Sequence, residues 1–419
     1  MYQKTILDNG LRITTMNMPQ TRSVSIGFFL GIGSRYETAA ESGICHFIEH
    51  ICFKGTTKRE TSRDIAAAIE GVGGILNGGT DKELTIYWCK VTLPHFSLAI
   101  DVLVDMLLNS KFDPTEIERE RPVIIEEINM SKDAPSHWVN MLIDELLWPD
   151  HPLGLDTAGT KESVTKITRE MMLDFLQSQY QPDNMVVAIA GNIQHEEAVD
   201  VVVKALGDWK TRQPHRLYLP YKDVKNPRLL IEKRDTGEAH LCLALRGLPL
   251  LHPKRFTFDL LNVILGEGMS SRLFTEIRDK LGLAYSISSY VSYFHDSGSM
   301  IIYAGVEPKN VQAAVKSVLE QLDSLKHDVP EAELVRAKES AKGRLLLRME
   351  DTYNGAGWMG GQEILTGRIL TLDEVVSAID EVTTDGIKKL ARELLIGDSL
   401  RLAVIGPVTD EHLDELLRL

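Results

Sequence analysis

Apolar and polar positions along the 419-residue chain follow two rhythms in turn. Apolar runs such as TIYWCKV after Glu83 and MIIYAGV after Ser299 read as strands, whereas HFSLAIDVLVDML and NVQAAVKSVLEQL carry the three-to-four spacing of amphipathic helices. The order repeats. A strand through Tyr87, then Pro94, then a helix is matched by a strand through Tyr303, then Pro308, then a helix, with the tyrosines 216 and the prolines 214 residues apart. A second pair follows. ITREMMLDFL precedes NMVVAIAGNI, VTTDGIKKLARELL precedes SLRLAVIGPV, and Gly191 and Gly406 lie 215 residues apart. Three anchors near one offset mark a duplicated domain rather than solenoid units. Strands and helices mix without strict β-α-β alternation. The pattern therefore predicts an α+β fold of two homologous domains, each a largely antiparallel sheet with helices packed on one face. Residues 208–228 carry three prolines and many charges, as a connection does. The expected division is 1–215, a linker over 216–227, and 228–419.

Length agrees with two domains at roughly 100–200 residues each. The composition, 43% hydrophobic and 25% charged, is that of an ordinary globular protein. A formal net charge of −14 argues against nucleic acid or anionic lipid as the main partner and leaves basic or unfolded peptides open. The N-terminal MYQKTILDNGLRI has no charged-then-apolar leader pattern, and no run approaches the roughly 18 apolar residues of a membrane span. Four cysteines (Cys45, Cys52, Cys89 and Cys242) make no disulfide framework, so a cytoplasmic setting is expected.

The chemistry concentrates in GICHFIEHICFKGT, expected as a helix from about Ser42 to Phe53, with Ser42 as its cap and Gly55 beyond its end. His46, Glu49 and His50 stand at i, i+3 and i+4, so two imidazoles and a carboxylate leave one helical face. Two histidines at that spacing can bind one tetrahedral zinc, and Glu49 can reach the metal-bound water without ligating. Cys45 and Cys52 flank the motif; small buried thiols are the plainer reading of them. A third ligand is sought in TEIERERPVIIEEINM. Glu127 is the best candidate and Glu126 its competitor, about 100° away on the helix. Glu120, seven residues before Glu127, shares its stripe and can orient a histidine from behind.

Two further stretches can hold a ligand. GGILNGGTDKELTIYW follows a helix and leads into a strand; its glycines permit close approach of an extended peptide, against the plainer reading of a turn. GEGMSSRLFTEIRDKLGLAYSISSY predicts a helix from about Ser270 to Leu281 that stops at Gly282, with Tyr285 opening a strand. Arg278 and Tyr285 can donate to a carbonyl oxygen or an oxyanion. No H-x-x-E-H occurs in the second half at the repeat offset, so one metal site per chain is expected.

The motif, the downstream glutamates and the repeat together resemble the pitrilysin/insulinase family (peptidase family M16). The likeness is to its single-repeat subgroup, similar to the mitochondrial processing peptidase β subunit and bacterial relatives, and it spans essentially the whole chain. The resemblance implies that His46, His50 and Glu127 bind Zn²⁺, that Glu49 is the general base and that Glu120 supports the site. It also implies that Asn77, in N-G-G-T where relatives usually carry N-A-x-T, positions substrate together with Arg278 and Tyr285. The activity implied is that of a zinc metalloendopeptidase acting on short or unfolded peptides. The partner implied is a second copy, a homodimer with the active site shared between chains. The alternatives are a non-catalytic assembly or peptide-binding subunit, and a zinc-binding protein without peptidase activity.

Overall fold

In the computed structural model, which describes residues 2–211, 215–224, 226–396, 399–409 and 412–417, the apolar runs form two sheets. The first runs in the order β1 (Tyr2–Ile6), β2 (Arg12–Asn17), β6 (Met185–Gly191), β3 (Ser23–Leu30), β5 (Thr85–Thr92), β4 (Ile75–Thr80). The second runs β7 (Leu229–Lys233), β11 (Arg401–Gly406), β8 (Ala239–Arg246), β10 (Gly298–Val306), β9 (Ala284–Tyr293). Starting from β2 and from β7, the two orders coincide. Each has one parallel neighbour pair, β2–β6 and β7–β11, and antiparallel pairs elsewhere. The duplication reaches single torsions. Gly191 and Gly406 close β6 and β11, both at φ +153°, and a Cβ there would sit 2.6 Å from the Ser23 carbonyl oxygen or 2.9 Å from Ala239 Cα.

Around these sheets the chain forms two compact units. One comprises Met1–Asn129, Asp156–Leu219 and Leu346–Thr371; the other comprises Met130–Leu155, Pro220–Leu345 and Leu372–Leu419. The break at Leu219/Pro220 lies within the 216–227 connection, of which Lys225 falls outside the described residues. The simple division at that connection nevertheless needs correction, because each half of the sequence lends a helix to the other unit.

Before residue 130, the α-helices of the first unit are α1 (Ile44–Cys52), α2 (Ser62–Glu70), α3 (Phe96–Asn109) and most of α4 (Pro114–Asp133). The next helix, α5 (Pro135–Leu147), belongs to the second unit. Its Val139, Leu142, Ile143 and Leu146 pack on Cys242, Ala244, Ala403 and Ile405. Trp138 Nε1 donates to Glu232 at 2.8 Å, and Trp148 Nε1 donates to Ser297 at 2.9 Å. In return, the helix Thr352–Thr366 lays Ala356 and Met359 on Phe29, Val186, Ala188 and Ala190, on the face of the first sheet opposite α1. Its buried Glu363 receives Lys4 at 2.5 Å and Arg12 at 3.7 Å. An apolar stripe shows that a helix is covered but not by which sheet, so periodicity alone could not reveal the exchange. The main core of the first unit lies between the sheet and α1, α3 and the helices that follow, and it holds α1 rigidly. No helix among the described residues is long and apolar enough to cross a membrane.

A paired substitution tests the docked helix. A Cβ on Gly360 would meet Phe29 ring carbons at 2.1 Å, whereas one on Gly361 meets nothing within 4 Å. Gly360→Ala should destabilise by roughly 1–3 kcal/mol through overpacking, despite the better helix propensity of alanine. Gly361→Ala should be neutral or stabilising by about 0.5–1 kcal/mol in urea unfolding. Equal effects from the two would show that the helix does not dock on Phe29.

Candidate metal centre

Helix α1 buries Ile44, Phe47, Ile48 and Ile51 completely or nearly so, which leaves His46, Glu49 and His50 on its remaining side. The cap is Gly43, not the expected Ser42. Gly43 takes φ +91°, and a Cβ there would lie 2.5 Å from the Ala158 carbonyl oxygen, so only glycine fits. The capping side chain comes from outside the helix. Buried Glu37 accepts from Gly43 N and Cys45 N, both at 2.8 Å, and burial pushes its carboxyl up to about 7 against those two bonds. Cys45 and Cys52 are buried in the core, and burial raises both thiols, that of Cys52 to about 12. They are packing residues, as the plainer sequence reading had it.

α4 brings the other half of the centre. Glu120 and Glu127 do share one stripe, and both reach the same imidazole from opposite ends. His50 Nδ1 bonds Glu120 Oε1 at 2.9 Å, and His50 Nε2 lies 3.6 Å from Glu127 Oε2. Glu127 Oε2 is also 3.8 Å from His46 Nε2, and the two Nε2 atoms are 3.2 Å apart. Four-coordinate zinc at roughly 2.0–2.1 Å from each donor would set donors roughly 3.4 Å from one another. The three edges of this triangle bracket that value. Two imidazoles and a carboxylate are also a zinc-like donor set. Glu126, the competing candidate, is exposed and accepts from Asn129 at 3.2 Å.

Charge supports a cation here. Glu49, Glu120 and Glu127 surround the site, and the Lys54 ammonium lies 2.5 Å from Glu120 Oε2. Burial, together with the charge of His50, lowers the His46 pKa to about 4, so this ring is neutral and able to ligate at ordinary pH. Burial acts downward on His50 as well, but Glu120, Glu127 and Glu49 outweigh it and raise its pKa. His46 Nδ1, in contrast to the His50 ring, is buried without a hydrogen-bond partner among the described residues.

Glu49 faces β4. Its Oε2 accepts from Thr80 Oγ1 at 2.6 Å, and burial raises its pKa against that bond and the pull of His50. The glycine-rich stretch expected as either a turn or a strand is strand, the outermost of its sheet. A Cβ on Gly78 would lie 3.1 Å from Glu49 Oε1, so the glycine gives the carboxylate room. Asn77 is exposed and uses its side-chain oxygen to accept from Gly78 N at 2.8 Å. Thr80 and Lys54 were not singled out in the sequence. Lys54 follows His50 by four residues, and Thr80 shares a strand face with Gly78, so spacing carried a signal for both.

Arg278 and Tyr285 belong to the second unit. The helix carrying Arg278 is not regular α but π-wound over Phe274–Lys280, with Leu281 N reaching back to Glu276 O at 3.0 Å, before Gly282 at φ +60°. The exposed Arg278 guanidinium stacks 4.7 Å from the Phe274 ring and 5.5 Å from the Tyr285 ring, and Tyr285 is 75% exposed. The two side chains are thus brought together, with their polar ends open.

Comparison with known proteins gives the family. Residues 12–161 match the family described as insulinase (peptidase family M16), and residues 166–341 match the description "peptidase M16 inactive domain". A Bacillus subtilis (strain 168) protein named "uncharacterized zinc protease YmxG" is 37% identical over 97% of this chain and 98% of its own. A Streptomyces coelicolor protein named "uncharacterized zinc protease SCO5738" is 37% identical over 99% of this chain and 91% of its own. Among solved structures, a protease from Helicobacter pylori has a TM-score of 0.89 at 21% identity, with 97% of this chain and 99% of that one covered. The chain belongs to the insulinase (M16) peptidase family.

Glu120→Gln keeps the shape of the side chain but removes the charge behind His50. Zinc affinity, measured by chelator competition, should fall roughly 10–100-fold without loss of fold. Unchanged affinity would show that Glu120 does not orient the ligand.

Proposed function

We propose that the protein is a zinc-dependent endopeptidase that hydrolyses peptide bonds in short or unfolded peptides. The observation that carries this reading is the triangle of His46 Nε2, His50 Nε2 and Glu127 Oε2, with donor atoms all within 4.8 Å of one another and Glu49 on the same helix, about one turn from His46 and next to His50. Zinc held by His46, His50 and Glu127 would supply a Lewis acid able to bring the pKa of a water to about 7 and to polarise the scissile carbonyl. Glu49, with its basicity raised by burial and its position fixed by Thr80, takes the proton of the attacking water and passes it to the leaving amine. Glu120, itself steadied by Lys54, holds the His50 ring in the orientation that presents Nε2.

The substrate lies in extended form along the outer edge of β4, where backbone hydrogen bonds need no particular side chain. Asn77 on that edge, and Arg278 with Tyr285 on the second unit, hold it through donors to its carbonyl oxygens. A chain with one metal centre and one Arg/Tyr pair works as a homodimer in which each copy completes the other's site.

Digestion of an unfolded-peptide library, read by mass spectrometry with and without chelator, tests the reading. Wild type should cleave and chelator should stop it. Glu49→Gln should retain zinc while the rate falls by roughly 10²–10⁴. Wild-type hydrolysis in that variant would remove Glu49 as the base, and intact peptides throughout would leave a zinc-binding or assembly protein. Mixing Glu49→Gln with Arg278→Ala chains after subunit exchange should restore part of the activity. No recovery would mean that each site is complete within one chain.

A further inference from the structure

Duplication makes a difference between the two sheets conspicuous. In the first sheet, β2 is covered on its outer side by β1, paired antiparallel from Tyr2↔Met16 to Ile6↔Arg12. Its counterpart β7 ends the second sheet, and no described strand lies beyond it. The registers Asn17↔Gly191 and Lys233↔Gly406 align the halves at an offset of 216 residues, so the chain at the place of β1 is 218–222, Tyr-Leu-Pro-Tyr-Lys. That segment is spent elsewhere. Tyr218 lies under the Arg35 guanidinium at 4.2 Å, the Leu219 carbonyl accepts from Arg35 at 3.1 Å, and Tyr221 N donates to Asp296 at 2.9 Å. Pro220 in its middle has no N–H to give a ladder.

What remains beside β7 is a groove of about 780 Å³ lined by Pro227, Arg228, Leu229, Ile231, Lys233 and Asp414. Leu402 N donates to Arg228 O and Arg234 N donates to Gly406 O, so the even-numbered positions turn their backbone groups toward β11. Leu229, Ile231 and Lys233 therefore turn theirs outward, and these are the β7 residues that line the groove. Leu230 packs with the α5 core and Glu232 accepts from Trp138. The half-buried Leu229 and Ile231 side chains thus lie on the opposite face, where they form an apolar floor, with exposed Lys233 at one end. Exposed Lys233 beside this floor favours an occupant that sets a carboxylate opposite it.

We propose that the outer edge of β7 is a second peptide-binding site. It takes an extended segment antiparallel to β7, with a carboxylate opposite Lys233 and apolar side chains opposite Ile231 and Leu229. The binding needs neither metal nor hydrolysis. Outward N–H and C=O groups supply the ladder, as β2 supplies it to β1, and the floor supplies the preference for apolar residues at alternate positions.

Hydrogen exchange on the full-length protein tests this, with an acetylated peptide built on Asp-Thr-Val-Thr-Val whose integrity is checked by mass spectrometry. Added peptide should slow exchange at the amides of Leu229, Ile231 and Lys233 and leave Leu230 and Glu232 unchanged. Ile231→Pro removes one outward donor and no inward one, so affinity should drop roughly tenfold or more while the circular dichroism spectrum persists. If that variant does not fold, Lys233→Glu serves instead, and should weaken the Asp-headed peptide and strengthen its Lys-headed analogue. Absence of protection at β7 under saturating peptide, or undiminished binding in the substituted chains, overturns the proposal. So does concentration-dependent protection without peptide, which would give the edge to a second copy.

Discussion

The centre depends on α4 lying across α1 so that one imidazole is gripped at both nitrogens, Glu120 on Nδ1 and Glu127 beside Nε2 of His50. Burying a polar group unpaired costs roughly 2–7 kcal/mol, and this contact gathers three carboxylates and two imidazoles in one partly buried space. Lys54 offsets one of those charges. A divalent cation held there would offset the rest, so the same ion that would activate chemistry would also relieve the repulsion that its ligands create. The protein supplies rigidity in return, because the apolar side of α1 sits in the main core of its unit and its first turn is tied to Glu37.

Much of this was legible in the sequence because it rests on local periodicity. The i, i+3, i+4 spacing put His46, Glu49 and His50 on one face, and seven residues put Glu120 and Glu127 on one stripe. The 214–216-residue offsets foretold two sheets of the same strand order. What the sequence hid was non-local. Capping by Glu37 involves a residue outside the helix, and the need for glycine at position 43 comes from the Ala158 carbonyl, more than a hundred residues away. Neither the exchange of α5 and Thr352–Thr366 between units nor the π winding around Arg278 follows from an apolar pattern, since that pattern records coverage and not the identity of the cover.

Duplication followed by divergence explains how the two units differ. Both keep the parallel strand pair and the glycine at φ +153° that ends it. Only the first keeps H-x-x-E-H against an edge strand, and among the described residues only there does a glutamate from a second helix close the donor set. The second unit places Arg278 and Tyr285 around the edge strand β9, at the position in its sheet that β4 holds in the first. Edges, which most folds cover or blunt, are in this protein the places where peptide chemistry is expected.

The donor set predicts that two imidazoles and one carboxylate, and no thiolate, hold a single zinc. X-ray absorption at the zinc edge of the zinc-loaded protein measures this directly. The account predicts a shell of nitrogen and oxygen at roughly 2.0–2.1 Å, with the outer-shell signature of two imidazoles. A sulfur scatterer at roughly 2.3 Å, or the signature of a single imidazole, would contradict it.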